Sequence, residues 1–115
     1  MIKTEKLDKL QKIIHANAKA KGFWDGDGHR SQSTLIRQIA LVGCEVSEAI
    51  EALRESSSPA YTTPIGKPEG WAIELADAAI RIMDLLEFYD ISLLEMIRVK
   101  HEYNKKRPRK HGKRF

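Results

Sequence analysis

"GWAIELADAAIRIMDLLEFYD", residues 70–90, decides the fold. Ile73, Leu75, Ala78, Ile80, Ile82, Met83, Leu85 and Leu86 cover most of a helical circumference, so this helix is expected to pack against neighbours on several sides. Glu74, Asp77, Arg81 and Asp84 interrupt the apolar surface. At about 100° per residue they fall within roughly 80° of one another, as one narrow polar stripe. An ionised carboxylate taken out of water without a partner is costly. The stripe therefore faces solvent or lines a polar cavity.

Working outward, "VGCEVSEAIEALRE", residues 42–55, carries Glu45 and Glu48, which share a helical face three residues apart. Glu45 lies beside the apolar stripe rather than opposite it. If the two helices pack side by side, four carboxylates converge. They repel unless a cation sits between them, and hard dications such as Mg²⁺ and Mn²⁺ prefer oxygen ligands. Inward-projecting acids on facing helices are an established way to build such a centre. One acidic pair at this spacing is a weak signal, because solvated faces carry many. Two pairs on consecutive helices, one of them otherwise apolar, are stronger.

The rest of the chain reads as helices joined by breakers. Leu7, Leu10, Ile14 and Ala18 predict a helix over about 4–21. "GFWDGDGHRSQS", 22–33, is a loop, and Ser31 or Ser33 would cap the next helix. That helix, about 33–56, presents Leu35, Ile39, Val42, Val46, Ala49 and Leu53 as its apolar stripe. "SSSPAYTTPIGK", 56–67, is a long loop, and Pro68 suits the first residue of the third helix. Ser92 and Glu95 form a capping box that opens a fourth helix to about 105, which Pro108 ends. Strand signals are weak throughout. The expected class is all-α: an up-and-down domain of four to five helices over 1–104, followed by a basic tail over 105–115.

Composition narrows the setting. One domain fits 115 residues, and 42% hydrophobic content allows a small core. The single Cys44 permits no internal disulfide, which suits a reducing cytoplasm. No apolar run is long enough for a bilayer, and "MIKTEKLDKLQK" has no secretory apolar block. Residues 100–115 hold eight Lys/Arg and one Glu, or +7, while the remaining residues hold twelve Lys/Arg and fifteen Asp/Glu, or −3. An acidic body with a basic tail suits phosphates, nucleic acid or an anionic surface.

Glu45-x-x-Glu48, followed after 25 residues by Glu74-x-x-Asp77, resembles the metal-binding signature of MazG-like nucleotide pyrophosphohydrolases, members of the all-α NTP pyrophosphatase group. "CEVSEAIEALRE" is similar to the first motif helix, "KPEGWAIELADAAIRIMDLLEFYDISLLEMI" to the second and the helix after it, and "KHEYNKKRPRKHGKRF" to the basic C-terminus of many such proteins. The likeness covers about residues 22–115. One position departs: Cys44 stands where the family often has a further Glu. That departure puts a fifth carboxylate's role in doubt.

The resemblance implies hydrolysis of a nucleoside triphosphate to the monophosphate and pyrophosphate with Mg²⁺, or with Mn²⁺ in its place. It assigns metal binding to Glu45, Glu48, Glu74 and Asp77, with Glu48 as general base and Glu45 beside it in catalysis. Phosphates would be held by Lys100, Asn104, Arg107, Lys110, His111 and Lys113, with Arg114 nearby. Phe23 and Trp24 would stack on the base, or else cap the core, and Asp25 and Asp27 would read a base edge. Arg81, one turn beyond Asp77, would pair with Asp77 and Asp84 or else reach phosphate. Trp71 belongs to the core, His15 and Tyr103 to structure or surface, and Cys44 to the interior. His29 and His111 are too far apart in sequence to suggest zinc. Dimers or tetramers are implied, with a tail from one subunit completing a neighbour's site. Base and sugar preference stay open, as does the phosphorus attacked.

Two rival readings stand beside this one. A nucleic-acid-binding module would use the basic tail, with Tyr103, His111 and Phe115 interleaved, but leaves the carboxylates unexplained. A structural helical protein would use the acidic pairs only as solvated faces.

Overall fold

The computed structural model describes residues 4–26 and 30–114; Asp27 and His29 lie outside the described residues. Its elements are α1 (Thr4–Ala20), α2 (Gln32–Glu55), β1 (Tyr61–Thr62), β2 (Pro68–Glu69), α3 (Trp71–Phe88), α4 (Leu93–Lys105) and a 3-10 turn at Arg109–Gly112. The class is all-α. Helix α3 is the middle layer, as its all-round apolarity predicts, with α2 packed along one side and α1 along another. Among the described residues, Trp24, Ala49, Ala78, Leu85 and Leu94 are the buried apolar ones. The radius of gyration is 16.6 Å, against about 13 Å for a compact chain of this length.

The start of α3 differs from the sequence reading. Pro68 does not open the helix. It pairs with Thr62, and Glu69 with Tyr61, in a short antiparallel ladder. The expected loop is therefore a small hairpin, closed by hydrogen bonds from Thr63 N to Lys67 O and from Gly66 N to Thr63 O, both 2.9 Å. Gly70 caps α3 at φ +124°, where a Cβ would stand 2.4 Å from Pro59 O. Only glycine fits that approach. The contact is reinforced by the Ala72 N–H, which donates to Pro59 O at 2.9 Å. The predicted caps of the other helices hold: Ser31 Oγ accepts from Thr34 N at 3.1 Å, and Ser92 Oγ from Glu95 N at 3.2 Å.

Helix α1 turns a polar side chain inward. Gln11 is 1% exposed. Its Nε2 donates to Glu87 Oε1 at 3.0 Å and Ile91 O at 2.8 Å, and its Oε1 accepts from Leu93 N at 3.1 Å. One amide thus stitches α1 to the α3–α4 turn. Ser92 Oγ adds a bond to Asp8 Oδ1 at 2.6 Å. Gln11→Leu keeps the volume but orphans three polar groups. It is expected to cost about 2–4 kcal/mol, read as a lowered urea midpoint at unchanged slope.

Helix α4 is anchored at its start and little beyond. Leu94 is 1% exposed, while Met96, Ile97, Val99 and Tyr103 are 42–67% exposed. The four helices therefore form a three-helix core with α4 appended, rather than an evenly closed bundle.

Candidate metal and nucleotide site

The acidic pairs of α2 and α3 do face each other. One carboxylate oxygen from each of Glu45, Glu48 and Glu74 lies within 4.8 Å of the other two. Glu45 is buried, Glu74 half-buried and Glu48 exposed, so the cluster opens outward at Glu48. Helix geometry explains the placement: Glu45 and Glu48 are one turn apart on α2, and Glu74 sits in the first turn of α3. Asp77, one turn further, is half-buried and outside this tight trio. It still acts on the trio through its charge.

The electrostatics record the crowding. Glu74 is held above its ordinary value of 4.5, first by burial and then by the charges of Asp77 and Glu45. Glu48 is also raised, first by a hydrogen bond with Glu45 and then by the Glu45 charge. Arg81 answers part of this. Its Nε donates to Glu45 Oε1 at 2.7 Å. The expected pairing of Arg81 with Asp77 and Asp84 is thus replaced by a bond across helices. Asp84 is instead occupied by α1 and the loop after it: its Oδ1 pairs with His15 Nδ1 at 2.6 Å and accepts from Trp24 Nε1 at 2.9 Å.

A shared proton linkage follows. A carboxylate with a raised folded-state pKa binds protons more tightly in the fold than in the unfolded chain. The associated destabilisation is complete above the folded-state value and vanishes below the unfolded one. Acidifying the metal-free protein from neutrality toward about pH 5 should therefore raise the cluster's contribution to stability. Thermal melts across this window should show the gain, Glu74→Gln should shrink it, and Mg²⁺ at neutral pH should substitute for the proton.

Beside the cluster, a cavity of about 740 Å³ opens between α1, α2 and α3. Ile13, Ala18, Phe23, Leu41 and Ile80 give it apolar walls, while Asn17, Gln38, Glu45, Asp77 and Arg81 give it polar ones. The volume lies in the range of small-molecule sites. Sequence reasoning missed Asn17 and Gln38, since polar residues flanking an apolar stripe carry no signal of their own. Phe23 is 69% exposed at the rim, free to meet a planar ligand. Trp24 is 7% exposed and stacks on Phe88 at 4.0 Å between centroids and 9° between planes. That face is taken, so Trp24 serves the core while forming part of the cavity wall.

The other expected site residues lie elsewhere. Lys100 and Arg107 sit over the Tyr103 ring at 5.3 and 5.5 Å, and an Arg107 amine donates to His111 O at 3.3 Å. Asn104 is half-buried, with Oδ1 unbonded. Lys110, His111, Lys113 and Arg114 are exposed. None of them lines the cavity. Tyr103 is on the surface, His15 is structural, and Trp71 is half-buried with Nε1 donating to Ser57 O at 3.3 Å. Cys44 is exposed rather than interior, because its α2 position turns away from α3.

The donor set fits a hard dication: three carboxylate oxygens from two helices, close enough to share one ion. Among the described residues, no helix is long and apolar enough to cross a membrane. No protein-family model matches the chain, and comparison with curated proteins and with solved structures finds no significant match.

Proposed function

We propose that the chain is a MazG-like, divalent-metal-dependent nucleoside triphosphate pyrophosphohydrolase, converting (d)NTP and water to (d)NMP and pyrophosphate. The observation that carries this reading is the approach of Glu45, Glu48 and Glu74 to within 4.8 Å of one another, beside a cavity of about 740 Å³, within the range of small-molecule sites. Glu45, Glu48 and Glu74 would hold the ion, with Asp77 at the cavity edge. A bound dication supplies charge neutralisation and Lewis acidity toward phosphate oxygens. Glu48 takes the proton of the attacking water. Its exposure and the neighbouring Glu45 carboxylate suit a base, because a raised pKa makes it more basic. The electron pair of the broken phosphoanhydride bond leaves with the half that water does not attack, pyrophosphate for attack at the α-phosphorus and the monophosphate for attack at the β-phosphorus. Arg81 steadies Glu45 in the absence of ligand. Phe23 offers the base an exposed ring.

The basic residues of the tail do not line the cavity of their own chain. In this reading they reach phosphates from a second copy, in a dimer or tetramer. The test is titration calorimetry with Mn²⁺, followed by pyrophosphate release from the eight common (d)NTPs. Failure of metal binding with nucleotide present, together with no release from any substrate, overturns the proposal.

The same separation of tail and cluster favours a second reading, a nucleic-acid-binding module built on residues 100–114. Deleting 105–115 would then remove salt-sensitive binding to nucleic acid, and Glu74→Gln would leave that binding intact.

A further inference from the structure

We propose that Arg81 is an exchange residue: its guanidinium holds Glu45 in the free protein and transfers to the phosphates of the ligand when a dication takes its place at the trio. The inference rests on the metal-dependent reading above. It adds to that reading a phosphate-binding residue and a coupling between metal and substrate.

The basis is one side chain that belongs to two places at once. Arg81 Nε donates to Glu45 Oε1 at 2.7 Å, and Glu45 is one of the three carboxylates gathered within 4.8 Å. Arg81 also lines the 740 Å³ cavity. Among the described residues that line this cavity, the basic ones are Arg37 and Arg81. Arg37 precedes Glu45 on α2 by more than two turns, or about 12 Å along the axis, whereas Arg81 touches the cluster directly. The basic residues of the tail line no part of this cavity. Arg81 is therefore the cation that joins the carboxylates to the space a triphosphate would enter.

Charge explains why the hold is temporary. The Glu45 side chain is 12% exposed and needs a positive partner, while the Arg81 side chain is 36% exposed and has room to swing. A dication on the trio would supply that partner and would repel a guanidinium kept on the same carboxylate. Once released, Arg81 needs another acceptor. Asp84, on the next turn of α3, already has one oxygen engaged by His15 and Trp24. Phosphate oxygens suit the guanidinium fork as a carboxylate does. Metal alone must strip Arg81 from Glu45 and gives it nothing in return. Metal and triphosphate together leave both groups partnered. Each should therefore tighten the binding of the other beyond their direct bonds, as reciprocal linkage requires.

The exchange is tested without reading turnover. Mn²⁺ is titrated with and without an α,β-imido triphosphate that resists hydrolysis. Water-proton relaxation distinguishes protein-bound metal from the free metal–nucleotide complex. Arg81→Met should bind Mn²⁺ alone about tenfold more tightly than wild type and gain less on addition of the analogue. Weaker binding of Mn²⁺ alone by the variant would make Arg81 a fixed support of Glu45 and overturn the exchange. A second measurement uses the wild-type chain. The Arg81 Nε–H resonance, assigned through the Arg81 backbone, should shift when Mg²⁺ and the analogue are added together, and should acquire coupling to phosphorus. A signal unmoved at saturation leaves Arg81 on Glu45, and one that moves without that coupling puts it on another protein group such as Asp77. Either result overturns the assignment to phosphate. Absence of Mn²⁺ binding to wild type with the analogue present overturns the metal-dependent reading and the exchange with it, whereas the other adverse results overturn the exchange alone.

Discussion

Glu74→Gln is expected to abolish pyrophosphate release while leaving the fold intact. Glu74 is the α3 member of the trio, and the amide offers neither its charge nor its full donor strength to a dication. Losing a metal's several kcal/mol of transition-state stabilisation corresponds to about three orders of magnitude in rate. The effect on stability points the other way. The carboxylate is raised by burial, Asp77 and Glu45, so neutralising it relieves repulsion in the metal-free protein. The opposing loss is its favourable place in the first turn of α3, worth about 0.3–1 kcal/mol. A near-constant or slightly higher thermal midpoint with absent turnover is therefore the expected pair of results, read by melting and by phosphate-coupled assay. Asp77→Asn should cost less, since Asp77 stands outside the trio. Turnover equal to wild type in Glu74→Gln would remove the enzymatic account altogether.

The largest loss of stability is expected from Trp24→Ala, about 3–5 kcal/mol, a serious fraction of the roughly 5–15 kcal/mol that holds a domain together. Trp24 stacks on Phe88 at 4.0 Å, takes the His15 ring edge at 5.8 Å and donates its indole proton to Asp84. Truncation empties that volume and leaves Asp84 with His15 as its remaining partner at this oxygen. Urea unfolding should show a lower midpoint with an unchanged slope. The neighbouring Phe23→Ala is the contrasting case. At 69% exposure, its removal should scarcely move the midpoint, while nucleotide affinity falls if the ring meets the base. The two adjacent aromatics thereby separate core from ligand contact.

The acid pairs were legible because i, i+3 placement is a local property of a helix, and α3's all-round apolarity announced a central position. Partner choice was not local. Arg81 had Asp77 and Asp84 within a turn on its own helix, yet it bonds Glu45, and Asp84 is taken by His15 and Trp24. Such assignments depend on how α1 and α2 sit around α3, which periodicity does not encode. Gln11 shows the same limit. A glutamine beside an apolar stripe reads as solvent-facing until the turn that receives its amide is in place. The apolar stripe of α2 is divided by the fold: Ala49 is buried, whereas Ile39, Val46 and Leu53 are exposed. Helical period groups these residues without saying which of them the neighbouring helices cover. The start of α3 was misplaced because proline statistics favoured Pro68, whereas the contact at Gly70 is tertiary.

The Gly70 contact also sets a condition on chemistry several residues away. The Pro59 carbonyl rests where a side chain at 70 would begin, locking the exit of one acid-bearing helix to the entrance of the other. The spacing of oxygens contributed by separate helices is thereby governed by a residue with no polar side chain and no ligand to touch. An extra methyl there would shift the carboxylate cluster from outside it, as a shim moves a lens.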